Sequence, residues 1–305
     1  MPESTAPAPF RDRLVGALLG SAVGDALGMP VEGLSHQNVR TYYKGVKEMR
    51  ADEKRGDLGA GQWTADTQRA RALARALATA APDSPEEVRA ALVLPGDDAR
   101  RGGVVSPSSA LAACAAPLGV QARLRGLKDL ASARWAALLL RDVDPSPVAH
   151  VAAAAQIAAV RTCLDKDPQG IAGAQILDAA LGAARDAERL LGADDRVSKR
   201  LDALRGHLDE TPLDLQDICN GTGSAADEAF PFAVAMVARS PELVEPTVLA
   251  AVNVGGDASA VGACVGACVG ALHGARALPA PWLDALEDAD AIRAEAEALV
   301  TALGE

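Results

Sequence analysis

Aromatic residues are scarce: three Trp, two Tyr and three Phe among 305 residues, 3% of the chain. With the strand-favouring aromatic and β-branched types this thin, an all-β fold is excluded. Cysteine is sparse as well. Five Cys without a Cys-x-x-Cys pair do not make a disulfide framework. Cys264 and Cys268, four apart on one helical face, are expected to be small buried hydrophobes. There is no surplus of positive charge. The net charge of −11 leaves no global field for a phosphate backbone, so generic nucleic-acid binding is not expected. Residues 1–9 lack the basic-then-apolar pattern of a signal peptide and are expected to be a disordered lead-in, which places the chain in the cytoplasm. The apolar run Val261–Ala275 falls short of the roughly 20 residues that a membrane span needs, so no membrane partner is expected.

What the chain has is alanine, about a fifth of all residues, and 49% apolar residues overall. Alanine is the best helix former. Apolar spacing predicts helices over 11–28, 65–80, 128–141, 147–164, 170–192, 195–208, 224–238, 242–252, 258–273 and 283–303. A further helix is expected after Asp83, with Ser84 as N-cap and Pro85 at the first helical position. Breakers such as Pro95-Gly96 and Gly102-Gly103 separate these segments. The polar stretch 44–62 reads as a mobile loop. No composition shift divides the chain, so residues 10–305 are expected to form one all-α domain. Two segments carry glycine every fourth residue: Gly16, Gly20, Gly24 and Gly28, then Gly262, Gly266, Gly270 and Gly274. Each costs about 1 kcal/mol against alanine inside a helix. Two such stripes imply two central helices whose backbones approach a neighbour closely, with each other as one candidate pair.

Polar residues gather at the ends of these helices. Asp25 and Glu32 end the first stripe, Asp257 precedes the second after Gly255-Gly256, and Thr64 and Asp66 open the 65–80 helix. Converging oxygens of this kind suit a hard cation such as Mg²⁺. N-capping by Thr64 and Asp257, and the favourable place of Asp66 at a helix N-terminus, explain the same residues without a metal. Arg69, Arg71 and Arg75 are expected to be a solvated face, as is the acidic run Asp284–Asp290. His36, His150, His207 and His273 are scattered and suggest no catalytic base.

Several segments in order resemble the ADP-ribosylglycohydrolase family. These are Arg13 to Gly28 followed by Pro30-Val31-Glu32; Gly61-Gln62-Trp63-Thr64-Ala65-Asp66-Thr67-Gln68; Ala116-Pro117-Leu118-Gly119; Gly221-Thr222-Gly223 with Glu228-Ala229; Ala251 to Asp257; and Pro281-Trp282. The resemblance implies a compact orthogonal helical bundle. It implies cleavage of the bond between ADP-ribose C1″ and an acceptor such as arginine or serine, with two Mg²⁺ or Mn²⁺ ions positioning ribose hydroxyls and water. By position it assigns residual metal ligation to Thr64, Asp66 and Asp257, a catalytic role to Glu32, and ligand contacts to Asp25, Gly119, Gly221, Gly223, Gly255 and Gly256.

The departures from the pattern fall on its chemistry. Ala65 and Ser259 stand where the family has Asp, and Ala260 where it has Thr. Cys114 stands at an expected Arg, and Val143-Asp144-Pro145 replaces Thr-His-Pro. Two dications about 4 Å apart repel each other, and anionic ligands offset that repulsion. A site without two of its carboxylates is expected to hold at most one weakly bound ion, or none. The resulting expectation is a catalytically impaired member that keeps recognition of ADP-ribose, a related nucleotide or an ADP-ribosylated molecule. The alternatives are a working hydrolase built on one metal ion and a non-catalytic structural or interaction protein.

Overall fold

The computed structural model describes residues 8–80, 84–94, 100–101 and 104–305. Residues 1–7 of the expected lead-in, Asp83, and the breakers Pro95-Gly96 and Gly102-Gly103 lie outside them. Among the described residues the chain is all-α, with sixteen α-helices, three short 3-10 or π turns and no strand.

Two helices form the centre, Phe10–Gly28 and Ala258–His273. Spacing alone gives the first of them one apolar face. The structure instead buries every residue from Arg13 to Gly28, as expected for a helix that is apolar all round. The two glycine stripes face each other in antiparallel order. A Cβ on Gly16, Gly20 or Gly24 would lie within 2.4 Å of the carbonyl oxygen of Gly270, Gly266 or Gly262 respectively, and the reverse substitutions collide in the same way. Gly28 meets Ala258 at the end of the row. This register matters for the site, because it sets the C-terminal end of the first helix beside the N-terminal end of the second.

The helices Pro147–Asp165, Ala226–Arg239, Glu245–Val252 and Ala289–Ala302 pack around this pair, and Gly173–Leu191 lies outside Pro147–Asp165. Arg13 is buried and ties two helix ends together. Its Nε donates to Ala271 O at 2.9 Å, and its Nη2 donates to Cys163 O and to Lys166 O. All five cysteines are free and buried. Phe10–Val31 and Pro147–Asp165 are long and apolar enough to cross a membrane, and both are largely buried inside the bundle.

Ser84 caps the helix Pro85–Ala91 as expected. The 283–303 helix is instead two, Ala280–Ala285 and Ala289–Ala302, with Asp288 in the left-handed region between them. The break lets the chain receive Gly61–Trp63. Glu287 N donates to Gly61 O at 3.0 Å, and Trp63 Nε1 donates to Glu287 O at 3.1 Å. Arg100 and Arg71 lie against the Trp63 ring, at 4.1 and 5.2 Å from its centroid. Glu287 pairs with Arg100, and Asp288 with Arg71, so these two residues dock on neighbouring arginines, while Asp284 and Asp290 are exposed as expected. The 44–62 loop is anchored at several points. Asn253 holds Val46 through both backbone groups, and buried Asp52 accepts from the amides of Lys54 and Arg55 and pairs with Arg101.

Candidate functional site

The antiparallel central pair brings Asp25, Glu32, Asp257 and Ser259 to one end of the molecule, and the helix Ala65–Thr79 points its N-terminus at them. Asp25 is fully buried at the C-terminal end of the first helix. Its carboxylate accepts from the Thr64 and Thr67 amides at 3.1 Å and from the Thr67 hydroxyl at 2.6 Å. Those amides are orphan donors of a helix N-terminus, where negative charge is favoured. Thr64 caps the same helix, its hydroxyl accepting from Asp66 N.

The remaining carboxylates each have a partner. Asp66 pairs with Arg69 one turn along, Oδ1 to Nη1 at 3.1 Å. Ser109 Oγ donates to Asp257 Oδ2 in a short hydrogen bond. Ser259 Oγ donates to Glu32 Oε2 at 2.6 Å, and Arg55 lies 3.9 Å from Glu32 Oε1. Burial raises Asp25 and Asp66 above the ordinary carboxylate range. Repulsion from Asp66 adds to the effect at Asp25, while Arg69 opposes it at Asp66. Burial, then repulsion from Asp66, pushes Asp257 up to about 8.

Backbone contacts hold the loops in register. Gly33 N donates to Gly256 O at 2.7 Å, Gly256 N to Leu34 O at 2.9 Å, and Asp257 N to Thr222 O at 2.6 Å. Gly255 and Gly256 sit at φ +85° and +71°. A Cβ on either would strike Leu34 O or Thr222 O at 2.1 Å, so these glycines set where Asp257 lies. Gly221 and Gly223 wrap Glu228, whose Oε2 accepts from Gly223 N. Gly119 is a packing residue, with no room for a Cβ against Val160.

A family model for ADP-ribosylglycohydrolases matches residues 6–305. The chain belongs to the ADP-ribosylglycohydrolase family. A solved structure described as an ADP-ribosylglycohydrolase-related protein complex is similar over 96% of this chain and 98% of its own, at 25% identity and a TM-score of 0.68. An uncharacterized protein of Archaeoglobus fulgidus is 43% identical over 77 residues, a quarter of each chain. The chain thus spans about a quarter of the length of that curated relative.

As an ADP-ribosylglycohydrolase-family chain, it brings together the positions that the sequence singles out: Glu32, Thr64, Ala65, Asp66, Asp257, Ser259 and Ala260. The donor set does not fit a pair of divalent ions. Ala65 and Ala260 are buried and offer no side-chain oxygen. Asp25 accepts from a helix end, Asp66 pairs with a guanidinium, and Asp257 and Glu32 each accept from a serine hydroxyl. Among the described residues no three His, Cys, Asp or Glu side chains are placed to hold a metal ion. Glu228 accepts from Gly223 N and Asn220 Nδ2. Fully buried Asp144 accepts from Ser106 Oγ, Ser108 N and Ser146 N, which shapes the loop that carries Ser109.

Two residues of the site are not evident from the sequence. Ser109 carries no motif signal of its own; it lies five residues before Cys114, in a segment that departs from the family pattern. Arg69 is not part of a solvated face. It is buried at 5% exposure, whereas Arg71 and Arg75 reach across to Glu295. The Asp25 contacts support a stability prediction. Asp25→Ala would leave two amides and a hydroxyl buried without an acceptor, at about 1–3 kcal/mol each. A loss of roughly 3 kcal/mol or more in urea unfolding is expected. A loss under 1 kcal/mol would show that Asp25 does not anchor the Ala65–Thr79 helix.

Proposed function

We propose that this chain recognises ADP-ribose or an ADP-ribosylated molecule and does not carry out two-metal hydrolysis. The observation behind this reading is that each surviving carboxylate is engaged by a protein donor, while buried Ala65 and Ala260 have no side-chain oxygen to offer. Family membership supports ADP-ribose as the ligand. The glycine-rich loops at 255–256 and 221–223 keep the close backbone approaches that shape the region.

Thermal melting tests the proposal. ADP-ribose at 100 times its dissociation constant adds about 2.7 kcal/mol to stability. The expected result is a higher melting temperature with ADP-ribose that is the same with Mg²⁺, Mn²⁺ or a chelator. No shift with ADP-ribose or other nucleotides would favour a structural or interaction role on the same scaffold.

A hydrolase using one ion is the second reading. It is favoured by the proximity of these carboxyls: Glu32 helps to raise Asp66, and Asp66 and Glu32 help to raise Asp257. Metal-dependent release of ADP-ribose from arginine- or serine-linked substrate, abolished in Asp66→Asn, would establish it.

A further inference from the structure

We propose that Arg69 is the resident cation of this site, its guanidinium supplying from within the chain the positive charge that a divalent ion would otherwise bring to the carboxylates. The inference rests on the reading that the two-ion centre is lost, and it adds a cause beyond the missing ligands.

Asp25, Glu32, Asp66 and Asp257 act on one another electrostatically at one end of the bundle. Like charges held in a low-dielectric interior repel strongly, so a cluster of this kind needs a cation or bound protons. Among the described residues, two guanidiniums pair with it. Arg55 approaches Glu32 from the solvent side, with its side chain 39% exposed. Arg69 approaches from inside the fold. Its side chain is 6% exposed, its partner Asp66 is 10% exposed, and the pair is closed at 3.1 Å. A guanidinium suits this place because it stays charged at every relevant pH, is weakly hydrated and carries five donors in a planar fork.

The position is built into the helix. Arg69 stands three residues after Asp66, the spacing that stacks side chains on one helical face. Buried Cys114 lies near enough to feel the charges of both Arg69 and Asp66, and burial keeps its thiol uncharged. A divalent ion binding Asp66 would have to sit beside the Arg69 guanidinium, which is already paired with Asp66 Oδ1. By this account Arg69 excludes metal through its charge.

The test is Mn²⁺ titration of the full chain by electron paramagnetic resonance, on wild type, Arg69→Lys and Arg69→Gln, with folding checked by circular dichroism. Wild type and Arg69→Lys are expected to show no binding below millimolar Mn²⁺. Arg69→Gln keeps hydrogen-bonding capacity without charge, and is expected to bind Mn²⁺ at least tenfold more tightly than wild type. A folded Arg69→Gln with unchanged Mn²⁺ affinity overturns the role of Arg69 and leaves the loss of the two-ion centre standing. Two Mn²⁺ per wild-type chain at sub-millimolar affinity overturns both. If Arg69→Gln fails to fold, the double variant Asp66→Asn/Arg69→Gln decides. Folding recovered when both charges are removed supports the neutralising role, and folding not recovered overturns it.

Discussion

Gly20→Ala is expected to destabilise the fold strongly and to leave much of the protein insoluble. The added Cβ would lie 2.2 Å from Gly266 O and 3.0 Å from Gly266 C. These atoms are backbone of a buried helix, so no rotamer change can relieve the clash, and the two central helices would have to separate. Overpacking of a well-packed core costs about 1–3 kcal/mol even where side chains can shift. Alanine's better helix propensity returns only about 1 kcal/mol. We expect a net loss of roughly 3 kcal/mol or more. Gly182→Ala is the control. Gly182 is exposed in the Gly173–Leu191 helix, and a Cβ added there would meet nothing within 4 Å, so the same chemical change should stabilise by about 0.5–1 kcal/mol. Opposite signs in paired thermal melts are the expected result. Equal effects would mean that the glycine rows do not set the spacing of the central pair.

The glycine rows show which part of the fold was legible in the sequence. A residue that is unfavourable in a helix, repeated every fourth position in two segments, needs a close neighbour, and each row proves to be the other's neighbour. Convergence of Glu32, Thr64, Asp66 and Asp257 was suggested by their places at helix ends and made specific only by the family resemblance, since helix-end roles also explained Thr64, Asp66 and Asp257; in the structure Asp257 makes no side-chain cap. Arg69 shows what was missed and why. Arg71 and Arg75 are four apart and share a face, while Arg69 is turned about 200° from Arg71 at 100° per residue. The spacing held that distinction, but three arginines on one helix read more simply as solvated surface. The break at Leu286–Asp288 had no local signal. It depends on Gly61 and Trp63, more than 200 positions earlier in the chain, and apolar periodicity alone carries straight through it.

Asp257 gives the clearest pH signature. Its carboxyl moves from 3.8 to about 8 because it is buried, with repulsion from Asp66, then Glu32 and Asp25; the Ser109 hydroxyl works in the opposite direction. A raised carboxyl means that the folded chain holds a proton which the unfolded chain releases between the two values. Stability therefore falls as pH rises from about 4 to 8 and levels off above that range. Each pH unit in the window is worth about 1.4 kcal/mol, so the interval from pH 5 to 8 is worth on the order of 4 kcal/mol. Asp257→Asn is close in shape, can still accept from Ser109 and does not titrate. Its melting temperature relative to wild type should rise by several degrees between pH 5 and pH 8.5, in chelator-containing buffer. The comparison cancels any packing cost of the substitution, which is the same at both pH values, and it cancels the titration of residues that do not interact with Asp257. Parallel melting curves would mean that Asp257 ionises at an ordinary pH. The cluster would then hold one more negative charge at neutral pH, which a single guanidinium at Arg69 could not offset.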